Sequence, residues 1–155
     1  MEKYIGTKLI EAEPAYRCTD GIGKVVITTR PEEAFPNYPS VEEGYRVRYP
    51  DGYESWSPKD VFEAAYRRTD NMSFGLAIEG AKMGKKIQRS GWNGKGQYVE
   101  LATSISYKNA SGDVVNVNHD AIGNHALAFV GTSGVQLGWL ASQADMLADD
   151  WRIVE

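Results

Sequence analysis

The stretch Ser73-Phe-Gly-Leu-Ala-Ile-Glu-Gly-Ala-Lys-Met-Gly84 predicts the main helix of the C-terminal half. Its apolar residues recur with i, i+3, i+4 and i+7 spacing, which places them on one helical face. Ser73 is suited to cap the free N–H groups of the first turn, and Gly84 is suited to a left-handed helix end. The residues beyond this helix predict short strands, over Lys86–Gly91, Gln97–Thr103, Asp113–Asn118, Ala126–Gly131 and Gly134–Gly138.

The end of the chain predicts a second, shorter helix and a last strand. Ser142 followed by Asp145 resembles a capping box at a helix start. The four residues Trp151–Val154 then predict a strand. We therefore expect an α+β fold for this half, with a small antiparallel sheet, one longer helix and one short helix.

Residues 44–66 predict a small β-hairpin followed by a helix. In Gly44–Tyr49 aromatic and aliphatic residues alternate with arginines, which is typical of a half-buried strand. Pro50-Asp51-Gly52 predicts a turn and Tyr53–Trp56 the returning strand. Ser57 is then expected to cap a helix that has Pro58 in its first position.

The residues before this hairpin give weaker signals. Lys3–Leu9 predicts a strand, Glu11–Arg17 a short helical turn, and Asp20–Pro39 an exposed excursion. A boundary near Thr69–Met72 divides the chain into two predicted domains. Residues 1–70 are expected to form a small N-terminal accessory module and residues 71–155 a second domain.

Composition narrows the function classes. The 155 residues carry a net charge of −4, and no basic face is present that would offset nucleic-acid phosphates, so neither DNA nor RNA is an expected partner. The short cluster Lys82, Lys85, Lys86 and Arg89 suits a solvated helix end, or contact with one or two phosphates. No apolar run is long enough to cross a bilayer and no signal peptide is visible, so a cytoplasmic location is expected.

Catalytic and metal-binding constellations are not evident. The single Cys18 cannot form an internal disulfide or a cysteine-based zinc site. His119 and His125 lie six residues apart without a helix signal, which fits neither a metal pair nor a triad. Asp149-Asp150 is interpreted as a solvated acidic turn. We therefore predict a protein that is not an enzyme and that needs no cofactor and no metal.

Two segments have the character of a binding site. Trp92 and Asn93 lie in a glycine-flanked turn, where the backbone can approach a ligand closely. Trp139 comes just before a helix start that presents Ser142 and Gln143. Aromatic faces can stack on a base and amides can hydrogen-bond with its edge. The alternative is that both tryptophans belong to the core and that Ser142 is only a cap.

The motifs in this half resemble one known family. Gly84-Lys-Lys-Ile-Gln-Arg-Ser-Gly-Trp-Asn-Gly-Lys-Gly96 and Trp139-Leu-Ala-Ser-Gln-Ala-Asp-Met-Leu-Ala-Asp-Asp-Trp151, together with Phe74-Gly-Leu-Ala77, resemble the second type of phage Thoeris anti-defence protein. The resemblance covers about residues 71–155, and it implies that they form a nucleotide-signal-binding domain. Residues 1–70 look like a module appended to phage and prophage proteins. The middle segment, Ser104–Gly134, with its polar loops at Lys108–Asp113 and Asn116–Asn124, departs from the family pattern.

The resemblance implies a function that composition does not. Members of the family are small α+β proteins that assemble as tetramers. They sequester the cyclic ADP-ribose isomers made by bacterial Thoeris defence enzymes without cleaving them, and some also take up cyclic dinucleotides at separate sites. The ligand-binding candidates that it implies here are Trp92, Asn93, Trp139, Ser142, Gln143, Asp145, Arg89 and Phe74.

Two other functions stay open at this point. One is a hydrolase of the same nucleotides, and the other is a structural or protein-interaction component of a phage. The expected partners are a small cyclic nucleotide signal and further copies of this chain in a homotetramer, with no membrane partner.

Overall fold

The computed structural model describes residues 1–120 and 124–155, so the predicted loop Asn116–Asn124 lies partly outside the described residues. The described chain is an α+β protein that divides into two compact units, residues 1–67 and 68–155. Each unit is built on its own antiparallel sheet. Among the described helices, none is long and apolar enough to cross a membrane.

The first unit is a four-stranded antiparallel sheet with strand order β2-β1-β3-β4. Its strands are β1 (Glu11–Thr19), β2 (Val25–Thr28), β3 (Ser40–Arg48) and β4 (Glu54–Pro58), and its helices are α1 (Pro31–Ala34) and α2 (Lys59–Ala65).

The predicted hairpin is confirmed as β3 and β4. Val47 is buried, as the alternation of the strand requires. The turn is closed by the N–H of Gly52, which donates to the carbonyl of Tyr49 (2.9 Å). Gly52 has a φ of +85°, a conformation that glycine adopts without strain.

The predicted cap of α2 is wrong. Ser57 lies within β4, opposite Tyr45 of β3, and the residue before the helix is Pro58, which has no side-chain cap. Because strand pairing with β3 continues through Pro58, the serine lies one residue too early to cap. The helix nevertheless packs on the sheet, since the ring of Phe62 stacks on Tyr45 at 4.2 Å.

The predictions for residues 3–39 are also wrong in part. Lys3–Leu9 is not a strand, and Glu11–Arg17 is not a helical turn but most of β1. Nine residues of β1 pair with β3, and this long-range pairing overrides the local signal. The expected excursion Asp20–Pro39 contains both β2 and α1.

The second unit has a five-stranded antiparallel sheet with strand order β10-β9-β6-β5-β11. Its strands are β5 (Lys86–Arg89), β6 (Tyr98–Ala102), β9 (Ala126–Gly131), β10 (Gly134–Leu137) and β11 (Trp151–Val154); its helices are α3 (Phe74–Lys82) and α4 (Gln143–Met146). A two-stranded ribbon, β7 (Tyr107–Lys108) and β8 (Val114–Val115), lies between β6 and β9 in the chain. The predicted strand Asp113–Asn118 is therefore reduced to two residues.

The predicted helix ends of this unit are confirmed. The hydroxyl of Ser73 accepts from the N–H of Leu76 at the start of α3, and Gly84 has a φ of +82° just beyond its end. The apolar face of α3 covers the sheet. The buried core is formed by Met72, Ala77, Ala81, Ile87, Val99 and Trp151.

Candidate functional site

Four aromatic side chains of the second unit lie against one another. The ring centroid of Trp92 lies 5.4 Å from that of Phe129, 6.0 Å from that of Trp139 and 5.3 Å from that of Trp151, and each pair packs edge to face. Trp151 is fully buried, whereas the other three are partly exposed. We call these four residues the aromatic cluster. Edge-to-face packing of this kind stabilises a site beyond simple burial.

A pocket of about 280 Å³ adjoins the aromatic cluster. Its lining combines rings, amides and one carboxylate. The residues are Trp92, Asn93, Gly94, Gln97, Phe129, Trp139 and Asp145. Such a mixture of apolar surface with a few polar groups is typical of small-molecule sites.

Two glycines position parts of this lining. An added Cβ at Gly94 would lie only 1.8 Å from Cδ of Gln97, so the glycine leaves the space that the Gln97 side chain occupies. Gly138 has a φ of +77°, and this turn lets the N–H of Trp139 donate to the carbonyl of Leu127 (2.9 Å). The bond fixes the backbone of Trp139 beside β9.

Asp145 connects the short helix α4 to the aromatic cluster. Its Oδ1 accepts from Nε1 of Trp92 (3.1 Å) and from Nη1 of Arg89 (2.9 Å). Its N–H donates to Oγ of Ser142 (3.1 Å), while Oδ2 accepts from the Ser142 N–H, so the predicted capping box is present. The carbonyl of Asp145 accepts from Nε1 of Trp151 (2.8 Å). Burial opposes ionisation of this carboxyl, but the hydrogen bonds from Arg89, Trp92 and Ser142 together lower its pKa.

Asp150 holds the start of the Trp92 turn. Its Oδ1 accepts from Nε of Arg89 (2.8 Å), and its Oδ2 accepts from the N–H of Gly91 (2.8 Å). The hydrogen bond from Arg89 lowers the pKa of Asp150 more than burial raises it. The interpretation of Asp149-Asp150 as a solvated acidic turn is therefore wrong for Asp150, although Asp149 is exposed.

The C-terminal half of the chain is similar to known proteins. A family model described as Tad2-like, a Thoeris anti-defense 2-like domain, matches residues 72–154. The chain belongs to this family. A protein of Bacillus phage SP01 named Thoeris anti-defense 2 is 38% identical over 86 residues, which are 54% of this chain and 94% of the relative. The resemblance found in the sequence is confirmed, and the chain is a phage anti-defence protein.

Residues 72–154, which match the family model, include every residue that lines the pocket. Four of the eight candidate ligand-binding residues lie around it. Trp92, Asn93, Trp139 and Asp145 all line the pocket. The tryptophans are both core and lining, since Trp92 and Trp139 also pack on the buried residues of the second unit. The two alternatives weighed for them are therefore not exclusive.

The other candidates lie outside the lining. Arg89 and Ser142 contact Asp145. Gln143 is exposed at the start of α4, and Phe74 packs on Trp151 with ring centroids 5.4 Å apart. These four do not line the pocket, and their roles in ligand binding stay predictions.

Sequence reasoning missed several lining and supporting residues. Phe129 enters the site because β9 pairs with β6, where Val99 lies opposite it. Gln97 lies beside the turn because Gly94 leaves room for it. No local motif marks either residue, although an apolar strand residue such as Phe129 could have been predicted to belong to the core.

Three of the four residues of the short basic cluster, Lys82, Lys86 and Arg89, contact other side chains of the second unit. Lys82 pairs with Glu79 (2.7 Å), and Nζ of Lys86 lies 4.8 Å from the ring centroid of Tyr98. Arg89 pairs with the carboxylates of Asp145 and Asp150.

Within residues 1–120 and 124–155, no group of three or more acidic, His or Cys side chains is arranged to hold a metal ion.

Proposed function

We propose that this protein binds a small nucleotide signal of the cyclic ADP-ribose type and sequesters it unchanged in the infected cell. The observation that carries the proposal is the pocket at the aromatic cluster, with Asn93 and Gln97 beside the rings. Ring faces can stack on a base, and the two amides can hydrogen-bond with a base edge or a ribose hydroxyl. Membership of an anti-defence family links such a ligand to immune signalling.

Sequestration without cleavage accords with the state of the one carboxylate in the lining. Asp145 already accepts hydrogen bonds from Trp92 and Arg89. Its pKa is lowered, because those bonds and the Ser142 cap outweigh the opposing effect of burial. A general base works best with a pKa near the working pH. This carboxylate is therefore poorly suited to proton transfer and better suited to holding the site.

We further propose that copies of the chain associate, as a tetramer, and complete the site between them. The pocket of about 280 Å³ lies just below the size range of ligand sites, which is about 300–1,000 Å³. Leu140, next to Trp139, is 88% exposed, and Leu147, just after α4, is 78% exposed. Association would remove this apolar surface from water. Cyclic dinucleotides, if bound, are proposed to occupy separate sites.

A heat-release experiment tests the function. The purified protein is incubated with a cyclic ADP-ribose isomer, separated from free ligand and heated until it unfolds; the supernatant is then analysed by chromatography. We expect intact ligand in a fixed ratio to protein. Released product would indicate the hydrolase, and absence of any ligand with every isomer tested would favour a structural component of a phage.

Light scattering tests the association. We expect a mass of several chains at micromolar concentration, and Leu140→Asp is expected to lower it. A single species of 17.2 kDa for the native protein would contradict the shared site.

A further inference from the structure

We propose that the Asp145 carboxylate sets the orientation of the Trp92 indole in the pocket, and that Arg89 and Asp150 fix this carboxylate and the turn that carries Trp92. Asp145 is then a positioning residue for ligand binding. The inference rests on the proposed function only where it concerns affinity. Its structural part can be tested without any ligand.

The indole is located by ring packing and oriented by one hydrogen bond. It contacts the rings of Phe129, Trp139 and Trp151 and leaves part of its surface exposed at the pocket. Hydrophobic contact is non-directional, so packing alone defines the direction of the indole N–H less strictly than a hydrogen bond does. A hydrogen bond is directional, so the 3.1 Å bond from Nε1 to Oδ1 of Asp145 determines which edge of the indole faces α4. The remaining ring surface is thereby presented to the pocket in one orientation.

The acceptor itself is held from two sides. The capping box with Ser142 fixes Asp145 at the start of α4. Nη1 of Arg89 donates to the same Oδ1 that accepts from Trp92. Both partners of this ion pair are largely buried, with side-chain exposures of 21% for Arg89 and 15% for Asp145. Charge-assisted hydrogen bonds in such surroundings are stronger than those between neutral groups.

The backbone of the turn is held by the same segment of chain. Asp150, five residues after Asp145, accepts from Nε of Arg89 and from the N–H of Gly91. Gly91 immediately precedes Trp92. The segment Asp145–Asp150 therefore holds the turn at two points. Asp150 accepts from the backbone N–H of Gly91, and Asp145 accepts from the indole N–H of Trp92. Arg89 joins the two carboxylates.

Nuclear magnetic resonance of the indole N–H groups tests the orientation in the full chain. Trp92→Phe assigns the Trp92 signal. In Asp145→Ala we expect this signal to move and its hydrogen exchange to accelerate at least about tenfold, because the acceptor is lost. The Trp151 N–H is an internal control, since it donates to the backbone carbonyl of Asp145, which alanine retains.

Two further variants make the test specific. Asp149→Ala removes an exposed neighbouring carboxylate and should leave both signals unchanged. Asp145→Asn keeps an acceptor oxygen and should restore the Trp92 signal towards its native position. A Trp92 signal unchanged in Asp145→Ala, with the Trp151 signal retained, would overturn the proposal. Were Asp145→Ala to lose the Trp151 signal as well, Asp145→Asn would decide: a Trp92 signal near its native position supports the proposal, and a displaced one overturns it.

Affinity for a cyclic ADP-ribose isomer provides the second readout. We expect Asp145→Ala to weaken binding at least about tenfold, a change of about 1.4 kcal/mol, and Asp145→Asn to weaken it less. A displaced Trp92 signal with native affinity would overturn the positioning role. If the native protein bound no isomer, the proposed function would fail, and the indole signals alone would decide the orientation.

Discussion

Arginine–carboxylate pairs occur in both units, in different surroundings. On the sheet of the first unit, Arg48 of β3 lies between Glu11 and Glu54 on the neighbouring strands, and all three side chains are 43–79% exposed. In the second unit, Arg89 lies between Asp145 and Asp150, with exposures of only 15–34%. Each arginine thus has two carboxylates, but only Arg89 is shielded from water.

The difference in exposure indicates that the Arg48 pairs belong to a solvated surface and that the Arg89 pairs support a site. Exposed ion pairs contribute little, because water screens them and two long side chains lose freedom. A shielded pair is costly to break, because it leaves a charge without its partner. Arg89 and its carboxylates also hold the backbone at Gly91 and the indole of Trp92. Arginine–carboxylate pairing therefore supports the lining of the pocket in the second unit, whereas in the first unit it lies on the exposed surface of a sheet.

Alanine at the two arginines should have the most unequal effects. We expect Arg89→Ala to lower the free energy of unfolding of the second unit by about 2–4 kcal/mol, because two shielded carboxylates lose their partner. Arg48→Ala is the matched control and should cost the first unit less than about 1 kcal/mol. Native-state hydrogen exchange measures the two units separately. Equal losses of stability in the two units would show that the Arg89 pairs are no more shielded from water than the Arg48 pairs.

Acid should destabilise the second unit by protonating its shielded carboxylates. The pKa of Asp150 in the folded state is lowered, mainly by the hydrogen bond from Arg89, and that of Asp145 is lowered despite burial. Below the ordinary value of about 4, the unfolded chain binds more protons than the folded one. The stabilisation is therefore present above about pH 4 and is lost as the pH falls through the folded-state pKa values.

Urea unfolding followed by tryptophan fluorescence, repeated from neutral pH down to strongly acidic pH, measures this loss. Asp150→Asn should flatten the dependence of stability on pH at the acid end, whereas Asp149→Asn, at an exposed neighbour, should retain the native profile. A profile for Asp150→Asn that is as steep as the native one would contradict the role given to Asp150.

The smallest effects on stability are expected at the exposed amides of the second unit. Asn93 lines the pocket and Gln143 does not, although both are exposed. Alanine at either should change stability by less than about 0.5 kcal/mol. Only Asn93→Ala should weaken binding of a cyclic ADP-ribose isomer, by about tenfold. Titration calorimetry compares the two, and a loss confined to Gln143→Ala would place the ligand at α4 instead.

Predictions from sequence succeeded where a short stretch contains its own stabilising pattern. The Ser73 cap, the left-handed Gly84, the capping box at Ser142 and the β3–β4 hairpin all depend on neighbouring residues, and all are confirmed. They failed where pairing with a distant strand decides the conformation. The segment Glu11–Arg17 is a strand because β3, some thirty residues later, pairs with it.

Local patterns were enough to predict the α+β class, the family and the two motifs that carry the candidate site, because turns, caps and aromatic motifs are made by neighbouring residues. The tertiary structure was needed to show that Trp92 and Trp139 are both core and lining, and that Phe129 and Gln97 join them. It also decided the partner of Asp150, because Arg89 lies 61 residues away in the chain. Contacts over such distances follow from strand order, which no local pattern specifies.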